Sequence, residues 1–242
     1  MEDSTLDPAF VAAAPGSRAL AANEVHVWAV PLDGDPTTYD GLLCPAEEDR
    51  LARFRFADHR RRYQISHGAL RQILGGYLDQ DPRAVVFRHG PRGKPYLEGD
   101  GLAFNLSHSG QLALVAVAPE EIGVDVEKVR RLESLTQIAE RHFSEREFGA
   151  LDGLVGDARE LAFYRCWTRK EAYIKALGEG LSMALDSFEV SIGEQADFVA
   201  CHDGREDPAA WSMLDVSPSK DYVGALAARM EHVSLSRLLL RS

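Results

Sequence analysis

The sequence has few cysteines and no long hydrophobic run, and these absences exclude several classes of protein. Its three cysteines are odd in number and widely spaced, which excludes a disulfide framework or a cysteine-based zinc site. The longest apolar run, Leu112 to Ala118, has seven residues, whereas a membrane span needs roughly 18. The acidic start, Met1-Glu2-Asp3, lacks the basic residues of a secretory signal. We therefore expect a cytoplasmic protein without a membrane segment.

Positive charge is also scarce overall, but it is concentrated in one segment. The 242 residues carry 27 basic and 38 acidic side chains, a net charge of −11, which disfavours nucleic acid as a partner. Between Arg50 and Arg71, however, seven arginines meet a single acid, Asp58, a local net charge of +6. This segment is either a solvated helix face or a site for a multiply phosphorylated ligand or an acidic protein.

The order of elements predicts an α/β arrangement after a loose start. Residues 1–23 are rich in alanine, contain two prolines and show little periodicity, which predicts a loose N-terminal extension. Residues 25–30 alternate as a strand, Pro45 opens a helix, and a longer helix follows from about His59. Strands are then expected at residues 84–88, 102–106 and 112–118. Hydrophobic residues make up 45% of the chain, enough for a sizeable core.

The second half of the chain repeats this order. A shift of 99 residues lays 25–30 on 124–129, and the same shift lays Pro45-x-x-Glu48 on Ser144-x-x-Glu147. The long helix matches residues 160–177, and residues 112–118 match 222–228. This predicts an α+β fold of two similar α/β halves related by a pseudo-twofold axis, an N-terminal half over 24–120 and a C-terminal half over 121–242. Such halves leave a cleft between them, a common ligand site.

The segment Gly123-Val-Asp-Val-Glu127 places two carboxylates on one face of a strand. Side chains alternate along a strand, so Asp125 and Glu127 point the same way while Val124 and Val126 point into the core. Paired carboxylates suit a hard cation such as Mg²⁺. The alternative interpretation is a half-buried strand with an acidic solvated face.

Residues 166–178 predict a helix that brings an acid and a base together. Glu171 and Lys175 are four residues apart, so both can reach one site. The alternative is an ordinary surface ion pair. Trp167 and Ile174 share this helix, and we expect them to pack in the core.

Two polar segments of the first half are further candidates. The segment Asn105-Leu-Ser-His-Ser109 is expected to form a turn between two strands, whose hydroxyls, imidazole and amides could cradle a phosphate or simply cap the turn. A serine hydrolase is not indicated, since no G-x-S-x-G motif is present. Gly93-Lys94-Pro95 is expected to be an exposed turn that presents its lysine.

Together and in this order, these four motifs resemble those of the 4′-phosphopantetheinyl transferases. The likeness spans about residues 45–190 and is greatest to the surfactin-type (Sfp-like), two-repeat monomeric class. It implies an enzyme that moves the phosphopantetheine arm of coenzyme A to a serine of an acyl or peptidyl carrier protein. It also implies Mg²⁺, with Mn²⁺ as a possible substitute, and a monomer.

The resemblance also implies roles for individual residues. Asp125, Glu127 and Glu171 would hold the metal, and Lys175 would act on the leaving-group side. Glu171 is the favoured base for the carrier serine, and Glu147 is the lesser candidate. The residues implied to contact coenzyme A are Arg50, Arg62, Lys94, Ser107, His108, Asp125 and Lys175. This gives the arginine-rich segment a purpose; Glu47 departs from the family, where a basic phosphate contact can stand.

Two other functions use the same residues. A metal-dependent hydrolase would cleave the coenzyme A pyrophosphate with water, and a non-catalytic module would only bind coenzyme A or a carrier. The expected carrier is acidic, as such domains typically are. The pathway that it serves and the patch on which it docks are not indicated by the sequence.

Overall fold

The computed structural model describes residues 6–99, 101–180 and 183–241. Within these ranges it contains five α-helices and twelve strands. The helices are α1 (Pro45–Ala52), α2 (Ala57–Leu78), α3 (Leu135–His142), α4 (Glu145–Asp152) and α5 (Gly156–Leu177). The strands are β1 (Val11–Ala13), β2 (Glu24–Pro31), β3 (Arg88–His89), β4 (Pro95–Tyr96), β5 (Ala103–Ser109), β6 (Leu112–Ala118), β7 (Ile122–Lys128), β8 (Phe188–Val190), β9 (Phe198–Cys201), β10 (Ser212–Asp215), β11 (Tyr222–Ala228) and β12 (Ser234–Leu240). In the described part of the chain, no helix is both long and apolar enough to span a membrane.

Two main sheets form the framework. One has five strands in the order β1-β12-β2-β6-β5, and the other has three in the order β10-β11-β7. β12 runs parallel to β1 and β2, while the remaining pairs in these sheets are antiparallel. β6 is buried along its whole length between β2 and β5, as its unbroken apolar run requires.

The long helices of the two halves correspond closely. α2 and α5 both have 22 residues and start 99 positions apart. Each is followed by a residue in the left-handed conformation, Asp79 with φ of 50° and Gly178 with φ of 70°. The α+β fold of two similar halves is thus confirmed.

The halves are not closed units, however, and the start of the chain is not loose throughout. Residues 11–13 form β1, which pairs with β12, and Phe10 is buried in the core. β12, from the end of the chain, lies between β1 and β2 in the sheet of the first half. The prediction of a loose extension over 1–23 is therefore wrong for residues 10–13, because an apolar segment there pairs with a strand 227 residues away in sequence. Residues 1–5 lie outside the described part of the chain.

The prediction of a strand over residues 84–88 is also wrong in its bounds. A 3-10 turn covers Pro82–Ala84, and only Arg88 and His89 pair, with Tyr96 and Pro95 of β4. Ile174 is fully buried, and Trp167 packs against the core of the second half, as predicted.

Candidate functional site

The site begins where α5 lies directly on β7, a contact that Gly123 makes possible. A Cβ atom at Gly123 would stand 2.0 Å from the carbonyl oxygen of Ala172 and 2.4 Å from the amide nitrogen of Ala176. Only glycine allows such an approach of two backbones. The approach brings Glu171 and Lys175 of α5 beside the carboxylates of β7.

Asp125 is at the centre of this arrangement. Its side chain is almost fully buried, with 4% of the residue exposed. The Oδ1 atom accepts hydrogen bonds from Ser107 Oγ at 2.7 Å and from Lys175 Nζ at 2.5 Å. The Oδ2 atom is buried and has no hydrogen-bond partner among the residues that the structure describes. A buried carboxylate oxygen without a partner is costly, so this atom is suited to bind a cation or a hydrogen-bond donor of a ligand.

Glu127 and Glu171 complete a group of three acids. Burial raises the pKa of Glu127, and the charge of Asp125 raises it further, against a lowering hydrogen bond from Ser109. Burial also raises the pKa of Glu171 to about 7, with additional contributions from Asp125 and Glu127. The three carboxylates therefore repel one another, and a divalent cation would relieve that repulsion.

The acids are not, however, assembled into a ligand set. In residues 6–99, 101–180 and 183–241, no group of three or more His, Cys, Asp or Glu side chains is placed to hold a metal ion. Lys175 already occupies one oxygen of Asp125. The oxygen donors and the unpartnered Oδ2 fit a hard cation in their chemistry, while convergence of all three carboxylates stays a prediction.

The segment from Asn105 to Ser109 lies in β5, so the prediction of a turn there is wrong. The chain reverses only at Gly110, which has φ of 58°. Ser107 is buried and faces β7, whereas the neighbouring His108 is exposed on the other side. The segment forms a strand despite its polar residues because side chains such as Ser107 find hydrogen-bond partners on β7 of the other half.

Positive charges gather around His108. Although part of the His108 side chain is exposed to solvent, the protein atoms around its imidazole desolvate the charged form and lower its pKa, and the charges of His67, Lys175, Arg62 and Arg50 lower it further. These charges come from three different elements, so the tertiary structure brings together four of the predicted coenzyme A contacts with one residue that the sequence analysis missed, His67. The sequence did contain a signal for His67: it lies four residues after Tyr63 on α2, so the two side chains share one face of that helix.

The arginine-rich segment divides into two parts. Arg71 is buried and pairs with Glu47, with 2.7 Å between Nε and Oε2. Arg50 is exposed and stands over the ring of Tyr63, which in turn stacks on His67. Arg71 is therefore not available to bind a ligand, whereas Arg50 is.

Lys94 is not presented by an exposed turn. Its Nζ donates to the carbonyl oxygens of Ile122 at 3.1 Å and Ala176 at 2.6 Å, and burial lowers its pKa to about 8. Lys94 therefore ties its turn to the start of β7 and the end of α5.

Glu147 is not paired with the groups that surround the three acids; its partners hold the fold of the second half together. It is buried, accepts hydrogen bonds from the backbone nitrogens of Ser144 and Val190, and pairs with the fully buried Lys170 at 2.8 Å. Its counterpart in the first half is Glu47, which closes the same capping arrangement on Cys44. The alignment of Glu147 with Glu48 is thus one residue out, because α1 is capped by Cys44.

Comparisons with known proteins identify the family of the chain. A model described as the 4′-phosphopantetheinyl transferase superfamily matches residues 121–227, and one described as 4′-phosphopantetheinyl transferase, N-terminal, matches residues 31–120. The 4′-phosphopantetheinyl transferase HetI of a Nostoc species is 40% identical over 224 residues, 88% of this chain and 91% of HetI. The 4′-phosphopantetheinyl transferase Sfp of Bacillus subtilis is 30% identical over 152 residues, 62% of this chain and 67% of Sfp. The crystal structure of Thermotoga maritima holo-[acyl-carrier-protein] synthase covers 46% of this chain and 64% of that one, with 22% identity and a TM-score of 0.35. The chain belongs to the 4′-phosphopantetheinyl transferase superfamily.

Proposed function

We propose that the protein transfers the 4′-phosphopantetheine group of coenzyme A to a serine hydroxyl of a carrier protein. The serine oxygen attacks the phosphorus that carries pantetheine, and the bond from that phosphorus to the bridging oxygen breaks. The bridging oxygen leaves with adenosine 3′,5′-bisphosphate. The observation that carries the proposal is the buried, unpartnered Oδ2 of Asp125 among three acids, beside the positive charges that surround His108.

We propose that Asp125, Glu127 and Glu171 hold Mg²⁺, for which Mn²⁺ could substitute. When bound, the metal would neutralise negative charge on the pyrophosphate of coenzyme A. The support is the all-oxygen donor set and the raised pKa values of two of its members.

We assign the base to Glu171. Without the metal the pKa of Glu171 is about 7; a bound cation would lower it and keep the side chain ionised, as a carboxylate that can accept the proton of the carrier serine. Lys175 places an ammonium beside Asp125 and Ser107, where it can donate to an oxygen on the leaving-group side. Glu147 is a weaker candidate, because its oxygens are already engaged by Lys170 and two backbone amides.

The coenzyme A phosphates and adenine would lie along the first half. Arg50 and Arg62 supply positive charge there. His108, whose pKa is lowered and whose imidazole is therefore held toward its neutral form, can contribute a hydrogen bond to a phosphate, and His67 lies beside it. Lys94 would act mainly by holding β7 and α5 in place, since two carbonyls occupy its ammonium. The acidic character of the carrier, the monomeric state and the cytoplasmic location stay predictions.

An intact-mass assay with coenzyme A, Mg²⁺ and several apo carrier proteins tests the proposal. We expect the wild-type protein to add one phosphopantetheine per carrier, and Asp125→Ala and Glu171→Ala to lose turnover by about 10²-fold to 10⁴-fold while remaining folded. The matched control is Gln72→Ala, at the position of the first half that corresponds to Glu171.

Each other outcome of this assay has a definite meaning. No transfer to any carrier by the wild-type protein would refute the proposal. Near-normal turnover of either site variant would show that the base and ligands are misassigned. Consumption of coenzyme A without a carrier would favour a hydrolase, and binding of coenzyme A without turnover would favour a non-catalytic module.

A further inference from the structure

β5 and β7 lie side by side but belong to different sheets, and side chains of β5 take the place of its backbone as hydrogen-bond acceptors for β7. β5 is the edge strand of the five-stranded sheet, and β7 is the edge strand of the three-stranded sheet. Three side chains of β5 each accept a hydrogen bond from a backbone amide of β7. They are Asn105 Oδ1 from Val124 at 2.9 Å, Ser107 Oγ from Val126 at 3.4 Å and Ser109 Oγ from Lys128 at 3.1 Å. We call these three residues the side-chain ladder.

The ladder determines where the serine protons go. A serine hydroxyl has a single proton to donate, and each serine oxygen already accepts from β7. Ser107 therefore donates to Asp125 Oδ1, and Ser109 donates to Glu127 Oε2, both at 2.7 Å. Asn105 accepts its bond from the backbone of β7 and, within the described ranges, contacts no carboxylate. Two steps of the ladder thus orient a carboxylate, and one does not.

Ser109 has the larger influence on its acid. Asp125 is also held by Lys175. In the part of the chain that the structure describes, Ser109 Oγ is the only hydrogen-bond donor to the Glu127 carboxylate. Without it, the Glu127 side chain could adopt other rotamers, since it is only partly buried.

We propose that Ser109 is a positioning residue that orients Glu127 toward a divalent cation. This inference rests on the proposed function, because it assumes that Glu127 is a metal ligand. Groups that orient metal ligands typically change metal affinity by 10-fold to 100-fold when removed. Ser109 therefore acts through Glu127 and does not need to touch coenzyme A or the carrier.

Direct binding of Mn²⁺, followed by the electron paramagnetic resonance signal of the free ion, tests the role of Ser109. We expect Ser109→Ala to weaken Mn²⁺ binding at least tenfold and to raise the Mg²⁺ concentration for half-maximal transfer by a similar factor. Turnover at saturating metal should change less than about threefold, since the base and its pKa environment remain. Ser109→Thr keeps the hydroxyl and should restore affinity.

The matched control is Asn105→Ala, which removes a step of the ladder that contacts no carboxylate. It should lower the melting temperature without changing Mn²⁺ affinity. Unchanged Mn²⁺ affinity in Ser109→Ala, equal loss in both variants, or no Mn²⁺ binding by the wild-type protein would each overturn the inference. If Ser109→Ala does not fold, Ser109→Thr decides: tenfold weaker binding despite its hydroxyl would also refute it. Wild-type transfer activity in the same preparations separates these results from failure of the proposed function.

Discussion

In each half, a glutamate at the start of a short helix pairs with a buried cation on the long helix that follows. Glu47 pairs with Arg71 of α2, and Glu147 pairs with Lys170 of α5; the two cations are 99 residues apart and the two glutamates 100. Each cation also binds two carbonyl oxygens of the next turn. These are Pro82 and Val85 for Arg71, and Leu185 and Phe188 for Lys170. What the two halves share is therefore a structural framework, in which a buried ion pair ties the short helix to the long helix and to the turn that follows.

The chemistry is not repeated. Where the second half has Asp125 and Glu127, the first has His26 and Trp28, which both bind the hydroxyl of Tyr77.

The first half also covers this region with its own N-terminal segment. A Cβ atom at Gly76 would stand 2.4 Å from the carbonyl oxygen of Gly16, and the guanidinium of Arg18 stands 4.9 Å from the centre of the Trp28 ring. The comparison shows that one framework can hold either a filled, hydrogen-bonded core or a group of acids with an unpartnered oxygen. Four side chains and one covering segment make the difference.

The largest expected effect breaks the framework of the second half. Lys170→Met leaves Glu147 buried without its cation, and we expect a loss of about 3–5 kcal/mol of unfolding free energy in urea denaturation. Arg71→Met should cost less, because His67 also contacts Glu47. Adding Glu147→Gln to Lys170→Met should recover part of the loss and keep transfer within about tenfold of wild type. Complete loss of transfer in that folded double variant would restore Glu147 as the base.

A second prediction concerns the contact of α5 with β7. Gly123→Ala must push α5 away from β7 and so separate Glu171 from Asp125. We expect transfer to fall about 100-fold and stability to fall by about 1–3 kcal/mol. Gly149→Ala, in α4 with open space around it, is the control and should slightly stabilise the protein. Equal behaviour of the two variants would contradict the proposed role of Gly123.

A third prediction is the pH dependence that follows from Glu171. Its pKa is about 7 in the folded protein, against the ordinary glutamate value of 4.5 in the unfolded chain, so at pH 4 both states are largely protonated. As pH rises from 4.5 to 7, the unfolded chain loses a proton that the folded protein keeps, and folding is progressively penalised. In metal-free protein, Glu171→Gln should therefore add about 1–3 kcal/mol of stability at pH 8 and nothing at pH 4. A difference independent of pH would contradict this, and the exposed Glu140→Gln serves as control.

The smallest expected effect compares two neighbouring arginines. Arg62 is partly buried and acts on His108, whereas Arg60 is exposed. Arg62→Ala should raise the KM for coenzyme A about fivefold to tenfold, and Arg60→Ala less than twofold, in initial-rate measurements at low salt. Equal changes would indicate that only the total charge of the segment matters.

Local spacing was sufficient to predict part of the site. Val124 and Val126 are buried on one side of β7, and Asp125 lies on the other, as strand alternation requires. Glu171 and Lys175 lie on one face of α5 because they are four residues apart. Lys94 was misjudged because one of its partners, Ala176, lies 82 residues away.

The sequence by itself determined the duplicated α+β framework and the type of chemistry, since strand and helix periodicities act over a few residues and the motifs carry the family likeness. The tertiary structure alone decided that β12 joins the first sheet, that Glu147 is buried against Lys170, and that the polar segment of β5 orients the acids of β7. These features depend on partners far apart in the chain, and the free energy of a buried charge or hydroxyl is set by the groups that surround it after folding.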